Sequence, residues 1–558
     1  MKKLLSVCLV LIMMLSVFSL TASAKEEAIV MLGYYDAEID NLYYTFYEDE
    51  IAEAYVVGYN ADPDNIAPAG AITVPETVTY KEKVYTVTGV DYGAFCQSLF
   101  TSITLPSTIN YIGDEAFMSS DYLEKVNIPQ ECEFDDFGDM VFTGTPFEAE
   151  LYSGDETILG KNVLFSYIGN ADEYVVPANI EIMVNNCFFM SGVKSVVLND
   201  KLKVIPEYAF ASCRNLTSIN IPDNVEYIQD GAFKDCTSLE TVSLGNGVQS
   251  IGVEAFANTK IKSLHLGENV YNIIGAFKDC NYLESVTVDV ANTALISDGN
   301  AVYKKSNFFM FGDDGEEGLI LEYYFPSKAK GNIKLKSTVK AIDGYAFYNC
   351  KELKDVSANN VFYVDGEAFA NSGIENFSGN SLALIYDNAF RNCKNLKSVS
   401  LENAYYIGDG AFQNCTALKD VQLSDSIFYV GAISFANTGI TEITVTGEEC
   451  EIGEAAFKDC KNLKSVRFED GVIAVGDNAC LGCPALETIY ISKNVKNFSD
   501  NAFNGCEKVV FQVVDGSKGH NFIEELGYDF EIVGSLSFFE RIVAFFENLF
   551  ETLFGWII

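Results

Sequence analysis

The 558-residue chain is poor in the residues that most often carry chemistry, with two histidines, His265 and His520, and a single tryptophan. A histidine-rich metal site or a Cys/His catalytic pair would need these isolated residues to converge, which narrows the enzymatic readings sharply. No G-x-x-x-x-G-K-[ST] loop, G-x-S-x-G elbow or H-E-x-x-H helix occurs, so phosphate-cradling, esterase and zinc-protease chemistry have no foothold. Basic residues are scarce as well, 37 against 79 Asp and Glu, for a net charge of -42. Such a surface repels phosphate backbones and anionic lipids, and nucleic acid is not expected as a partner. No L-P-x-T-G signal is present, and covalent wall anchoring is not expected.

What is present begins with a leader. Lys2 and Lys3 precede an apolar run from Leu4 to Leu20 and an Ala22-x-Ala24 end, the pattern of a signal peptide cleaved after Ala24. Cys8 lies too far inside that run to read as a lipoprotein cysteine. The mature chain is therefore expected to be secreted, extracellular or attached to the cell surface.

A repeat then fills most of the chain. A small residue and an aromatic anchor recur at Phe95, Phe117, Phe142, Phe188, Phe210, Phe233, Phe256, Phe277, Phe347, Phe369, Phe390, Phe412, Phe435, Phe457, Cys480 and Phe503. Most steps are 21 to 23 residues; the two long gaps, 142 to 188 and 277 to 347, keep the register and imply degenerate or interrupted coils. After each anchor comes Cys, Ser or Thr, then L-x-x-[IV]-x-[IL], as in Leu216, Ile219 and Ile221. Alternation over the last residues predicts a strand with Ile219 and Ile221 inward and Ser218 and Asn220 outward. An apolar-Gly step such as Tyr406-Ile407-Gly408 follows, where glycine is expected to supply the turn. The anchor rings should stack into a spine, since a coil of this size cannot bury its apolar face without neighbours.

These residues resemble the BspA-like leucine-rich repeats of bacterial surface proteins, in the Ala-Phe-x-x-Cys-x-x-Leu-x-x-Val-x-Leu-Pro and Ile-Gly signatures and in the closing Gly516-Ser517-Lys518-Gly519. The resemblance covers about 410 residues of repeats. It implies a β-rich repeat solenoid, a curved superhelix of 22- to 23-residue coils with capping units. By analogy it also implies adhesion to protein or glycan on host or neighbouring cells.

The expected layout is a signal peptide at 1–24, a β capping region at 25–90, and the solenoid at 91–515 with hairpin-like interruptions near 155–172 and 296–330. A carboxy-terminal cap at 516–534 and an amphipathic helical tail at 535–558 complete it. The outward strand positions are mostly short and polar, so a solvated sheet surface is the plain reading. The candidates for a ligand-binding face are Asn127, Asn220, His265, Gln422, Arg467 and Tyr490, the last two favoured because Arg and Tyr dominate binding hot spots.

Nine cysteines, Cys213, Cys236, Cys280, Cys350, Cys393, Cys415, Cys460, Cys483 and Cys506, share one coil position with Ser and Thr. A position that accepts all three calls for a small buried group, so free thiols are expected rather than bridges. Cys480-x-x-Cys483 lacks the two further ligands zinc would need. The acidic turn at 312–318 does not match the Ca²⁺-loop spacing and reads as a solvated hairpin tip. No metal or other cofactor is expected, and the chain reads as non-catalytic.

The tail carries Ser537, Glu540, Arg541, Ala544, Glu547, Asn548, Glu551 and Thr552 on one helical stripe and aromatics elsewhere. Phe538, Phe539, Phe545, Phe546, Phe550, Phe554 and Trp556 are the candidates for contact with a membrane or partner. Glu547 and Glu551 near mid-helix argue against spanning. Lying at a membrane or envelope surface, self-association, and docking back onto the solenoid all stay open. The leading reading is a surface-associated binding protein; the alternatives are a self-associating structural envelope protein and, behind it, a secreted hydrolase.

Overall fold

The structure, a computed structural model, describes residues 35–48, 52–59, 70–307, 317–447 and 449–543. The leader, the acidic turn up to residue 316 and tail residues 544–558 lie outside the described residues. The chain forms two compact units, one of residues up to 170 together with 176–191, the other of 171–175 and everything from 192 on.

The second unit is a β-solenoid, and one coil shows how the sequence builds it. Ser218–Asn220 is a three-residue strand with Ile219 buried between exposed neighbours. It pairs in parallel and in register with Ser195–Val197 on one side and Thr241–Ser243 on the other, so equivalent residues stack in rows from coil to coil. These face strands form sheets of four, two, four and five strands along the unit.

The apolar-Gly step proves to be a second strand. Ser250–Ile251, ahead of Gly252, pairs in parallel with Tyr227–Ile228, which pairs in turn with Val204–Ile205, and further along such return strands build an eleven-stranded sheet. The glycine therefore does not turn the chain, contrary to the expectation. A Cβ on Gly408 would stand 2.7 Å from the Asp387 nitrogen and 2.8 Å from the Tyr386 carbonyl carbon. Close approach of the preceding coil is what requires glycine there. The left-handed backbone comes two residues later, at Glu254 (φ 57°), Asn388 (φ 59°) and Gly410 (φ 63°).

The anchor rings stack as their spacing implies. In the second unit Phe210 and Phe233 lie 5.1 Å apart at 1°, Phe347 and Phe369 4.8 Å apart at 12°, and Phe390 and Phe412 5.4 Å apart at 10°. All are buried. The long gap from 277 to 347 is bridged by a hairpin, Ala301–Asn307 against Glu317–Tyr324. Its aromatics carry the spine across: Tyr323 meets Phe277 at 5.4 Å and Tyr324 meets Phe347 at 5.0 Å.

The first unit opens with antiparallel strands, among them Leu42–Glu48 against Ala52–Tyr59. Ala52–Tyr59 then pairs in parallel with Lys83–Val90, which leads into the return strands Tyr111–Ile112 and Asp136–Phe137. Its shorter hairpin, Glu156–Leu159 against Val163–Tyr167, repeats the device: Phe165 reaches Phe142 and Tyr167 reaches Phe188.

The last face strand, Val510–Asp515, is followed by a helix, Lys518–Leu526, capped by the Ser517 hydroxyl and ended by left-handed Gly527. Strand Phe530–Ser535 then pairs back in parallel with Val510–Asp515.

Candidate binding surface

The face sheets display most of the sequence candidates, several of them engaged with a neighbour in their row. Asn127 donates its amide to the Thr104 hydroxyl at 3.0 Å. His265 Nδ1 lies 3.0 Å from the Thr287 hydroxyl. Asn220 is exposed, in register between Val197 and Ser243. Arg467 spreads its guanidinium over the Tyr490 ring, 4.1 Å from its centroid, and its Nε donates to Glu469 at 2.8 Å. This pair combines a hot-spot residue type with a fixed geometry, since the carboxylate and the ring both hold the guanidinium in place.

Gln422 departs from expectation. It is exposed, but residues 421–424 form no strand, and the face sheet is interrupted between Ser398–Val399 and Glu442–Val445. Val421 and Leu423 still pack against the core. Sequence reasoning also passed over Val175 and Val197, which are 58% and 47% exposed at outward positions of one face row. Exposed valine in a strand was the available signal, masked by the ordinary β preference of the residue.

A second row was missed at the turn before the Cys, Ser or Thr of each coil. Ser212, Asp235, Asn258, Asp279, Asn349, Asn371, Asn392, Asn414, Asn437 and Asp459 all have left-handed backbones, which Asn and Asp tolerate best. Their side chains form a ladder: Asn392 donates to Asn371 at 3.0 Å, Asn414 to Asn392 at 2.8 Å and Asn437 to Asn414 at 2.8 Å. The polar hollow beside it is lined by Lys351, Asn371, Asn392 and Lys394.

The next residue is the thiol row. Cys236 donates to the Phe210 carbonyl at 3.0 Å, Cys393 to Phe369 at 3.0 Å and Cys415 to Phe390 at 3.1 Å. Ser120 makes the same bond to Phe95 at 2.6 Å. Burial pushes the Cys393 thiol up to about 12 and the Cys415 thiol well above its ordinary value, so these groups stay protonated and are unsuited to attack or metal binding. Among the described residues no three His, Cys, Asp or Glu side chains are placed to hold a metal ion.

One buried carboxylate stands out. Glu322, on the hairpin strand that joins the eleven-stranded sheet, is 1% exposed, and neither carboxylate oxygen makes a hydrogen bond. In register terms it matches Phe165 of the shorter hairpin, because Asp343 donates its amide to the Leu321 carbonyl as Val184 does to Leu164. Burial first, then the facing Asp343, raise its carboxyl to about 8, opposed by Lys304. Burial and Asp365 raise Asp343 to about 6.

The start of the tail is helical from 538 in the described residues. Ser537 and Glu540 form a reciprocal cap, the Ser537 amide donating to the Glu540 carboxylate at 2.7 Å. Glu540 pairs with Lys493 at 2.6 Å and Arg541 with Asp515 at 2.7 Å. Lys493 and the cap hold the Glu540 carboxyl down at about 2. Glu540 and Arg541 thus pair back onto the end of the solenoid, while Phe538 and Phe539 stand 74% and 78% exposed. Phe545, Phe546, Phe550, Phe554 and Trp556 lie outside the described residues. Among the described residues no helix is long and apolar enough to cross a membrane.

A family model described as BspA type leucine-rich repeat region, in six copies, matches residues 88–216, 157–284, 319–406 and 383–510. No curated protein matches the chain. Among solved structures, it is similar to a leucine-rich cell surface protein of Faecalibacterium prausnitzii, at 21% identity over 87% of this chain and 96% of that one, with a TM-score of 0.31. It is similar to the pneumococcal vaccine antigen PcpA at 18% identity over 90% and 99%, TM-score 0.34. A leucine-rich repeat protein of Eubacterium ventriosum shares 23% identity over 62% and 90%, TM-score 0.42.

Proposed function

The chain belongs to the family of BspA-type leucine-rich repeats, and from that premise we propose that it is a non-catalytic binding protein, secreted and held at the cell surface. Its ligand is a protein or glycan of a host or neighbouring cell, engaged by the face sheets. The observation that carries this reading is the face itself. In-register parallel strands set equivalent side chains in rows at a spacing of about 4.8 Å, and the Arg467 and Tyr490 pair holds two recognition side chains in one geometry. A surface of repeated rows suits a ligand that is extended or itself repetitive. The tail is the tether: Glu540 and Arg541 pair with the solenoid, and Phe538 and Phe539 stand exposed beside them, open to insertion at a membrane or envelope surface.

The test is binding of the purified chain to arrays of host and bacterial glycans and surface proteins, with Arg467→Ala and Tyr490→Ala beside the parent. Any specific ligand should lose affinity at least about tenfold when a hot-spot residue is removed. Ligands that bind both variants and the parent alike would place recognition elsewhere.

The alternative is a self-associating structural envelope protein. The same exposed phenylalanines favour it, since two copies could bury them against each other.

A further inference from the structure

The return sheet holds a surface the face sheets do not share. On three neighbouring coils its outer side carries Tyr386, Tyr406, Phe428 and Tyr429. Tyr406 lies 5.9 Å from Tyr386, 5.9 Å from Phe428 and 5.3 Å from Tyr429, centroid to centroid. Phe428 is 45% exposed and the tyrosines are half-buried, so the strip is too open to count as core. A cluster of aromatic rings on the solvent side of a sheet costs exposed apolar surface unless something covers it.

The charge around the rings indicates what that is. Asp387 and Asp409 flank them, fixed in place because they accept the Asp409 and Ala432 amides at 2.8 Å each. The Tyr429 hydroxyl donates to Asp409 at 3.2 Å. Glu451, exposed, follows Tyr429 in register on the next strand. The residues leading into the rings, Glu402-Asn-Ala-Tyr-Tyr406 and Asp425-Ser-Ile-Phe-Tyr429, contain no basic side chain. Aromatic faces attract cations, and Arg and Lys are the side chains that offer charge and a flat or apolar stem together.

We propose that the strip of Tyr386, Tyr406, Phe428 and Tyr429 recognises a basic, extended peptide segment of a partner protein. Its arginine and lysine side chains rest against the rings and pair with the flanking carboxylates. The rings extend over three neighbouring coils, so an extended chain laid across them meets more than one ring and can present basic side chains to them from one side, where residues i and i+2 of a strand both fall. This surface is distinct from the face sheets, so its failure leaves the proposed function standing.

The experiment is fluorescence anisotropy with the full chain and a labelled nine-residue peptide alternating Arg and Ser, beside its Lys and Glu counterparts. Phe428→Ser, at a surface position, and Tyr406→Leu leave the net charge unchanged; Glu451→Gln and the remote Glu268→Gln each remove one negative charge. The expected result is that the Arg peptide binds more tightly than the Lys peptide and the Glu peptide does not bind. Each ring variant should weaken the Arg peptide by about three- to tenfold, and Glu451→Gln should weaken it while Glu268→Gln does not. Ring variants that bind like the parent, with both charge variants weakened alike, would reduce the effect to diffuse attraction to an acidic protein and overturn the proposal. Neutral oligosaccharides that bind the parent and are lost in the ring variants, while the peptide is not, would overturn it in favour of a sugar.

Discussion

The Cys, Ser or Thr three residues after an anchor satisfies a buried backbone acceptor that an apolar residue would leave orphaned. Cys415 donates to Phe390 and Ser120 to Phe95, the anchors of the coil before, whereas Thr259 and Thr438 donate to their own anchors, Phe256 and Phe435. The preference for something small was readable in the sequence; the acceptor of Cys415 or Ser120 was not, because it sits some 25 residues away. Glu322 is the opposite case, a charge where its counterpart hairpin has Phe165. Its carboxyl rises from an ordinary 4.5 to about 8 on folding, so the folded chain keeps a proton that the unfolded chain releases. The stability tied to that proton is intact below the unfolded value and is lost as pH rises through the folded one. The groups facing it, Asp343 and Lys304, with Asp365 and Tyr363 beyond, modulate the slope without reversing its sign, and Asp343 adds to it. The melting temperature of the parent is therefore expected to fall between about pH 5 and pH 8 more steeply than that of Glu322→Gln. Parallel curves for the two proteins would show that Glu322 is not the group responsible.

At the scale of the coil, the periodic anchors and the inward-outward alternation of the face strand were legible because burial enforces them: every coil must fill the same interior. The return strand was not. Two-residue strands such as Ser250–Ile251 and Tyr406–Ile407 are too short to show alternation, and the glycine after Ile407 looks like a turn until the backbone of the neighbouring coil is seen 2.7 Å from where its Cβ would be. The asparagine ladder was hidden for a related reason, since its preference is set by left-handed backbone rather than by hydrophobic pattern. The hairpin gaps were legible as gaps, but their aromatics could not be assigned to the spine without coordinates. Continuity of that spine is what the element contributes to stability. Phe412, buried between Phe390 and Phe435 at 5.4 and 5.2 Å, is expected to cost about 3 to 5 kcal/mol when replaced by Ala. Calorimetry of Phe412→Ala checks this, and an unchanged melting profile would mean the stacked rings are passengers.

For the whole molecule, the candidate residues were legible as outward positions, yet their rows were not: Asn127 with Thr104, His265 with Thr287 and Arg467 with Tyr490 are pairs between coils, set by register. The tail shows the same limit. Its two stripes could be read from helical period, but the pairing of Glu540 with Lys493 and of Arg541 with Asp515 could not, because no local pattern in the tail announces those partners. With Glu540 and Arg541 bound to the solenoid, Phe538 and Phe539 stand exposed beside them, and the proposed attachment to a cell surface rests on these two rings. The most direct test compares the mature chain with one ending at Gly534, by flotation with neutral liposomes and cell envelopes and by light scattering. The account predicts that the full chain floats with membranes or envelopes and that the shortened chain stays behind as a soluble monomer. If both remain in solution and only the full chain assembles into larger species, the tail joins copies of the protein to one another, and the structural reading replaces attachment.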